Sequence, residues 1–187
     1  MRPSRVVFTL AFAAFFLTLA RPASAQCAPY GPYYMSGFSW YTLLNNDSFS
    51  GSTCSPNWVG ANVINSSLCT DFYGTPYKAA LLSTSSSSFT QHFTVPNTPG
   101  TMDVSLLFAT SGTPSWWDRI IVEIWEAGVL KESISVRTDL GPFYCHREDF
   151  SFTGNYAGKS LDIRVRAQIV TSGVSYDLDW VTLFYNV

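Results

Sequence analysis

Few residues in this chain are typed and spaced for chemistry, and most of those are aromatic. Trp116 and Trp117 stand side by side after Gly112-Thr113-Pro114-Ser115. Neighbours on an extended chain point to opposite sides, so one indole is expected to anchor in the core and the other to face solvent. A flat, exposed indole suits stacking on the apolar face of a sugar ring. Glu123 and Trp125 share strand parity, as do Arg164, Arg166 and Gln168. Together they would form a polar face with one aromatic wall, where Arg and Gln donors meet sugar hydroxyls or uronate carboxylates. Ligand contact is therefore placed at Trp116, Trp117, Trp125, Glu123, Arg164 and Arg166. The competing reading has the aromatics filling a core and the arginines merely solvated.

Catalysis has less to draw on. His92 and His146 are the two histidines, and no Gly-x-Ser-x-Gly elbow occurs. His92 lies in an alternating run and reads as a satisfied sheet histidine. His146 falls in Cys145-His146-Arg147-Glu148-Asp149, which reads as a salt-bridged turn beside a disulfide. A carboxylate pair for glycoside hydrolysis would combine Glu123 with Asp162 or Glu148, at a separation of roughly 5 to 9 Å that only the fold can set. No catalytic residue is assigned. Asp177 and Asp179, two apart on a strand, share a face, and their hard oxygens would suit a structural calcium ion. Hydrogen bonding at a turn and strand start is the favoured competing reading of the two.

The elements that must position these residues belong to an exported chain. Arg2 and Arg5 precede the apolar or hydroxyl run Val6 to Ala20, and Ala23-Ser24-Ala25 forms a small-x-small cleavage site. The run is shorter than the roughly 18 residues of a membrane span, so a leader over 1–25 and a secreted, extracellular or periplasmic chain beginning at Gln26 are expected. The leader holds three of the 11 Lys and Arg residues and none of the 13 acidic ones, leaving 8 against 13 and a net charge of −5. That balance offers no basic stripe for nucleic-acid phosphates or anionic lipid.

Cys27, Cys54, Cys69 and Cys145 form an even set without a C-x-x-C. In an exported protein they read as two disulfides with three connectivities. Closing the short loop from Cys54 to Cys69 is worth roughly 3 kcal/mol, which leaves Cys27 to join Cys145. Asn46 and Asn65 head Asn-x-Ser sequons that matter only in a glycosylating host.

Residues 26–77 are rich in Tyr, Asn, Ser, Gly and Pro with weak periodicity and are read as an irregular segment of a single domain. Within it Tyr30, Tyr33, Tyr34, Trp40 and Tyr41 would pack over a sheet. Beyond it, alternating runs at Ser88 to Val95, Met102 to Ala109, Arg119 to Trp125, Leu130 to Arg137, Asp149 to Thr153, Ser160 to Ile169 and Tyr176 to Asn186 are separated by Gly, Pro, Asn or Ser clusters. This spacing predicts an all-β, antiparallel two-sheet sandwich.

Asn46-Asp47-Ser48-Phe49 followed by Trp58, Ser88 to Pro96, Asp118 ahead of Val122-Glu123-Ile124, Tyr156 to Leu161, and Asp177-Leu178-Asp179-Trp180-Val181-Thr182-Leu183 carry a resemblance over nearly the whole mature chain. The order resembles the galactose-binding-like jelly-roll sandwiches, which include carbohydrate-binding modules of secreted hydrolases. The resemblance implies a non-catalytic module that binds glycan or polysaccharide, with a structural calcium near the terminal strand. Ser50 and Trp180 stand where many such modules carry acidic residues. A structural or protein-binding domain of the cell surface or envelope, whose partner is a surface protein, is the second reading, and a small secreted glycan-active hydrolase or lyase the third.

Overall fold

The computed structural model describes residues 40–44, 49, 58–70, 76–139 and 146–187. The expected leader over 1–25, Cys27, Cys54, Cys145, Asn46 and the tyrosines at 30, 33 and 34 lie outside the described residues, and only the backbone of Cys69, Trp40 and Tyr41 is described.

Ten strands are found among the described residues: β1 (Trp40–Thr42), β2 (Val63–Thr70), β3 (Pro76–Leu82), β4 (Ser88–Thr94), β5 (Thr101–Ser111), β6 (Arg119–Glu126), β7 (Val129–Arg137), β8 (His146–Phe152), β9 (Ser160–Gln168) and β10 (Ser175–Asn186). Six form one antiparallel sheet in the order β2-β3-β10-β5-β8, with β1 also on β10; the other sheet runs β4-β9-β6-β7. The pairing follows a simple rule, since β3 pairs with β10, β4 with β9, β5 with β8 and β6 with β7. A long hairpin with its tip at β6–β7 has been rolled so that its strands fall alternately into two sheets. That is the jelly roll, in which neither face of the core is left to water.

Alternation explains the rolling. Leu161, Ile163, Val165 and Ala167 of β9 are buried while the residues between them are half-exposed. Across the core lie Leu106 and Phe108 of β5 and Leu178, Val181 and Leu183 of β10. Phe49 and Trp58, from the stretch before β2, close one end against Phe89 with ring centroids 5.6, 5.4 and 5.0 Å apart. Each such pair adds about 1 kcal/mol to the area buried.

Two departures from the sequence reading concern the N-terminal third and the strand ends. Val63–Thr70 is a strand, not irregular chain, and β1 and β3 share one edge of β10. β2 lies at the edge of the sheet and β3 between β2 and β10, with Ala79, Ala80 and Leu82 of β3 buried. His146–Phe152 begins three residues before the predicted run, so His146 sits on a strand and not in a turn.

Candidate functional site

The outer face of the four-stranded sheet collects most of the predicted site. Register places Thr90 of β4 beside Arg164 of β9, and Arg164 beside Glu123 of β6. One row along, His92 faces Asp162, which faces Trp125. Cross-strand partners share a face, so these six side chains stand together over the sheet. Between them lies an open cavity of about 280 Å³ lined by Thr90, Trp125, Gly128, Asp162 and Arg164.

A tight hairpin shapes one end of that cavity. Glu126 pairs with Val129, leaving Ala127 and Gly128 as a two-residue loop with φ of 50° and 79°. Positive φ at both positions is the type I′ geometry that follows the right-handed twist of the strands. Lys131 and Lys159 flank the turn and share Glu126, whose carboxyl their hydrogen bonds hold below its ordinary range.

Glu123 sets the orientation of the aromatic wall. It is buried, and its two carboxylate oxygens accept from Arg166 Nε at 2.7 Å and from Trp125 Nε1 at 3.1 Å. Each oxygen of Glu123 therefore already accepts one hydrogen bond on this face. Glu148 lies on β8 in the opposite sheet, so it cannot pair with Glu123. Arg166 is likewise engaged. Arg164 is freer, its one described hydrogen bond being a long 3.4 Å contact to Ser88 Oγ. The cavity thus combines a fixed indole, a guanidinium with unused donors, a carboxylate and a hydroxyl.

Trp116 and Trp117 stand elsewhere. They precede Arg119, whereas Trp125 lies at the far end of β6, roughly 20 Å along the strand. Both are exposed, at 52% and 65%. The expected split between anchor and platform fails because residues 116 and 117 form a turn, where the alternation of extended chain does not apply. The Arg137 guanidinium lies 3.6 Å from the centre of the Trp116 ring and covers one face of it. Trp117 has no such cover, and its carbonyl accepts from Gln168 Nε2 at 2.9 Å.

Asp118 holds this turn. Fully buried, it accepts from Ser115 N and Oγ, from Val170 N, and from Thr171 N and Oγ1, at 2.6 to 3.0 Å. Burial alone would raise its pKa, but the hydrogen bonds from Thr171, Val170 and Ser115 outweigh it and keep the carboxyl well below the usual carboxylate range. The sequence reading gave Asp118 no role; an Asp just before a strand signals a turn, but its partners sit 52 and 53 residues away.

Asp177 and Asp179 flank a register shift in β10. Asp177 Oδ2 accepts from Ser66 Oγ at 2.8 Å. Burial pushes the Asp179 carboxyl up to about 7. A calcium ion takes six to eight oxygen ligands and holds its carboxylates ionised. Among the described residues no group of three or more His, Cys, Asp or Glu converges, so Asp177 and Asp179 by themselves do not make up such a set. His146 hydrogen-bonds Glu148, and Arg147 forms an ion pair with Asp149, two contacts spaced along β8.

A second cavity, about 380 Å³, opens on the six-stranded sheet beside Asp103, Arg147, Asp149, Phe150 and Phe184. Its cation is already paired with Asp149, and Asp103 accepts from Asn186. The first cavity keeps more of its donors for a ligand.

No family model matches the chain, and no curated protein matches it. Among solved structures it is similar to the carbohydrate-binding module TmCBM61 in complex with β-1,4-galactotriose, at 16% identity over 76% of this chain and 97% of that one, with a TM-score of 0.48. It is also similar to a cyclase from Fischerella sp. TAU, at 12% identity over 79% and 98% with a TM-score of 0.49. A carbohydrate-binding module CBM36 in complex with calcium and xylotriose matches at 11% identity over 69% and 92%, with a TM-score of 0.40. The likeness is one of fold, and the jelly roll stands on the strand pairing of this chain itself.

Proposed function

We propose that the chain is an exported carbohydrate-binding module whose ligand lies across the outer face of the four-stranded sheet. The observation that carries this reading is the 280 Å³ cavity in which Trp125, held edge-on by Glu123, meets Arg164 and Asp162. Trp125 stacks on the apolar face of a sugar ring, while Arg164 donates to ring hydroxyls and Thr90 and Asp162 complete the polar contacts. An open cavity suits an internal segment of an extracellular or cell-wall polysaccharide. A structural calcium ion near Asp177 and Asp179 is compatible with this reading but is not needed for the cavity contacts.

Saturable binding to one class on a polysaccharide panel is expected, lost in Trp125→Ala and Arg164→Ala and kept in Trp117→Ala. Binding that survives both cavity substitutions, or no binding across the panel, would overturn the proposal. The exposed Trp117 beside Val170, which is 67% exposed, favours a second reading in which that turn meets a surface protein. A blank polysaccharide panel together with capture of a surface protein that Trp117→Ala abolishes would select it.

A further inference from the structure

On the β4 side of the cavity lies a hydrogen-bonded relay that carbohydrate binding does not require. Asp162, a lining residue, faces His92 across the β4–β9 pair, and Ser160 stands two residues earlier on the same face of β9. His92 Nδ1 lies 2.9 Å from Asp162 Oδ1, and His92 Nε2 lies 2.9 Å from Ser160 Oγ. The proton positions follow from what each group can do. An ionised carboxylate can only accept, so Nδ1 carries the hydrogen of the neutral ring. Nε2 is then the acceptor, and the Ser160 hydroxyl donates to it. Nucleophile, base and orienting carboxylate stand in the order, and on the ring nitrogens, that acyl transfer needs.

We propose that Ser160, His92 and Asp162 hydrolyse acyl esters carried on the carbohydrate bound in the adjacent cavity; the carbohydrate part of this inference rests on the binding reading above. Ser160 Oγ attacks the ester carbonyl carbon while its proton passes to His92 Nε2. Asp162 stabilises the imidazolium. The bond from carbonyl carbon to sugar oxygen then breaks, and His92 returns the proton to that oxygen, leaving a free sugar hydroxyl and an acyl group on Ser160. Water attacks the acyl-serine, gives a proton to His92 and displaces Ser160, which recovers its proton. The balance is ester plus water giving carboxylic acid plus alcohol, with no other reactant.

The surroundings narrow the substrate class. The His92 and Asp162 side chains are 64% and 47% exposed, so water is not excluded and the relay acts at high dielectric. Thr94, the register partner of Ser160, places a hydroxyl on the same face for a developing oxyanion. Such a site suits esters, whose leaving alkoxide needs less help than an amine, and small acyl groups such as acetyl.

The test uses the full mature chain with p-nitrophenyl acetate and with O-acetylated xylan as probes. Wild type is expected to hydrolyse both and to carry an acetyl adduct on the peptide containing Ser160. Ser160→Ala and His92→Ala are each expected to lower the rate by about 100-fold or more, the range of a positioned general base. A Ser160→Cys variant checks the geometry separately: its thiol should react with iodoacetamide faster than the same cysteine in a His92→Ala background. Hydrolysis that survives Ser160→Ala marks a lone surface histidine and overturns the relay, as does absence of both hydrolysis and adduct in wild type. Hydrolysis of p-nitrophenyl acetate without release of acetate from xylan supports the relay and overturns the carbohydrate ester as its substrate. Because the small probe needs no carbohydrate contact, failure of the binding reading and failure of the relay give different results.

Discussion

The indole Nε1–H of Trp125 donates to Oε2 of Glu123, two residues back along the same strand, while Arg166 from the neighbouring strand holds the other oxygen. The carboxylate therefore fixes the plane of the one indole in the cavity before any ligand arrives. Pre-organised aromatic walls bind more tightly because little rotamer freedom remains to be lost. Glu123→Gln keeps the volume but takes the charge from beside Arg166. It is expected to weaken ligand binding about tenfold, or about 1.4 kcal/mol, with a modest fall in melting temperature. Calorimetric binding beside thermal unfolding checks this; unchanged affinity with a lower melting temperature would leave Glu123 a purely structural part.

Asp118 should prove the least replaceable polar residue of the sheet ends. Its carboxylate satisfies three backbone N–H groups and two hydroxyls from two loops. Asp118→Asn puts an NH₂ where those donors need an acceptor, and the cost is expected to be about 3 kcal/mol or more in denaturant unfolding. Its folded pKa lies below the unfolded value near 3.8, so its contribution is present above about pH 4 and is lost as pH falls toward the folded value. Wild type is therefore expected to lose stability between pH 4 and 2 more steeply than Asp118→Asn.

The seven runs read from alternation all appear as strands, with ends shifted by at most three residues, because one buried face imposes a period of two that sequence displays directly. The outward parity of Glu123, Trp125, Arg164 and Arg166 was legible for the same reason. Register was not. Nothing in Phe89 to Val95 says that His92 will face Asp162, or that Thr90 will stand beside Arg164, since those neighbours come from a strand about 70 residues away. Arg166 and Glu123 looked like ligand contacts and turn out to bind each other, a pairing that depends on the offset between β6 and β9. The expected opposite facing of Trp116 and Trp117 fails for a local reason, a turn where extended chain was assumed.

The two exposed tryptophans are expected to separate on substitution. Trp116→Ala removes a ring stacked under Arg137 at 3.6 Å, a contact worth about 0.5 to 1 kcal/mol at a half-exposed site. Trp117 uses its backbone N–H toward Ser115 and its carbonyl toward Gln168, both kept by alanine. Thermal unfolding should therefore show a small decrease for Trp116→Ala and none for Trp117→Ala. Equal decreases would mean that the Trp117 ring packs against neighbours, and equal absence would remove the energetic role of the Arg137 stack.

Asp179 gives the jelly roll a pH dependence of opposite sign to Asp118. Burial at the β10 register shift raises its carboxyl from 3.8 to about 7, since ionising it would place a charge where little water reaches. Between those values the folded chain holds a proton that the unfolded chain releases. The group's contribution is thus fully present below about pH 4 and is lost as pH rises through about 7. Asp179→Asn keeps the shape and removes the titration. It is expected to match wild type in melting temperature near pH 4 and to exceed it at pH 8, with the gap opening between the two. A gap of the same size at both pH values would show that the difference comes from packing; a variant less stable at pH 8 would mean that the ionised carboxylate is held by a favourable partner, and adding calcium to wild type at that pH would then be the decisive comparison, because only an ion bound at Asp177 and Asp179 would raise its melting temperature without affecting Asp179→Asn.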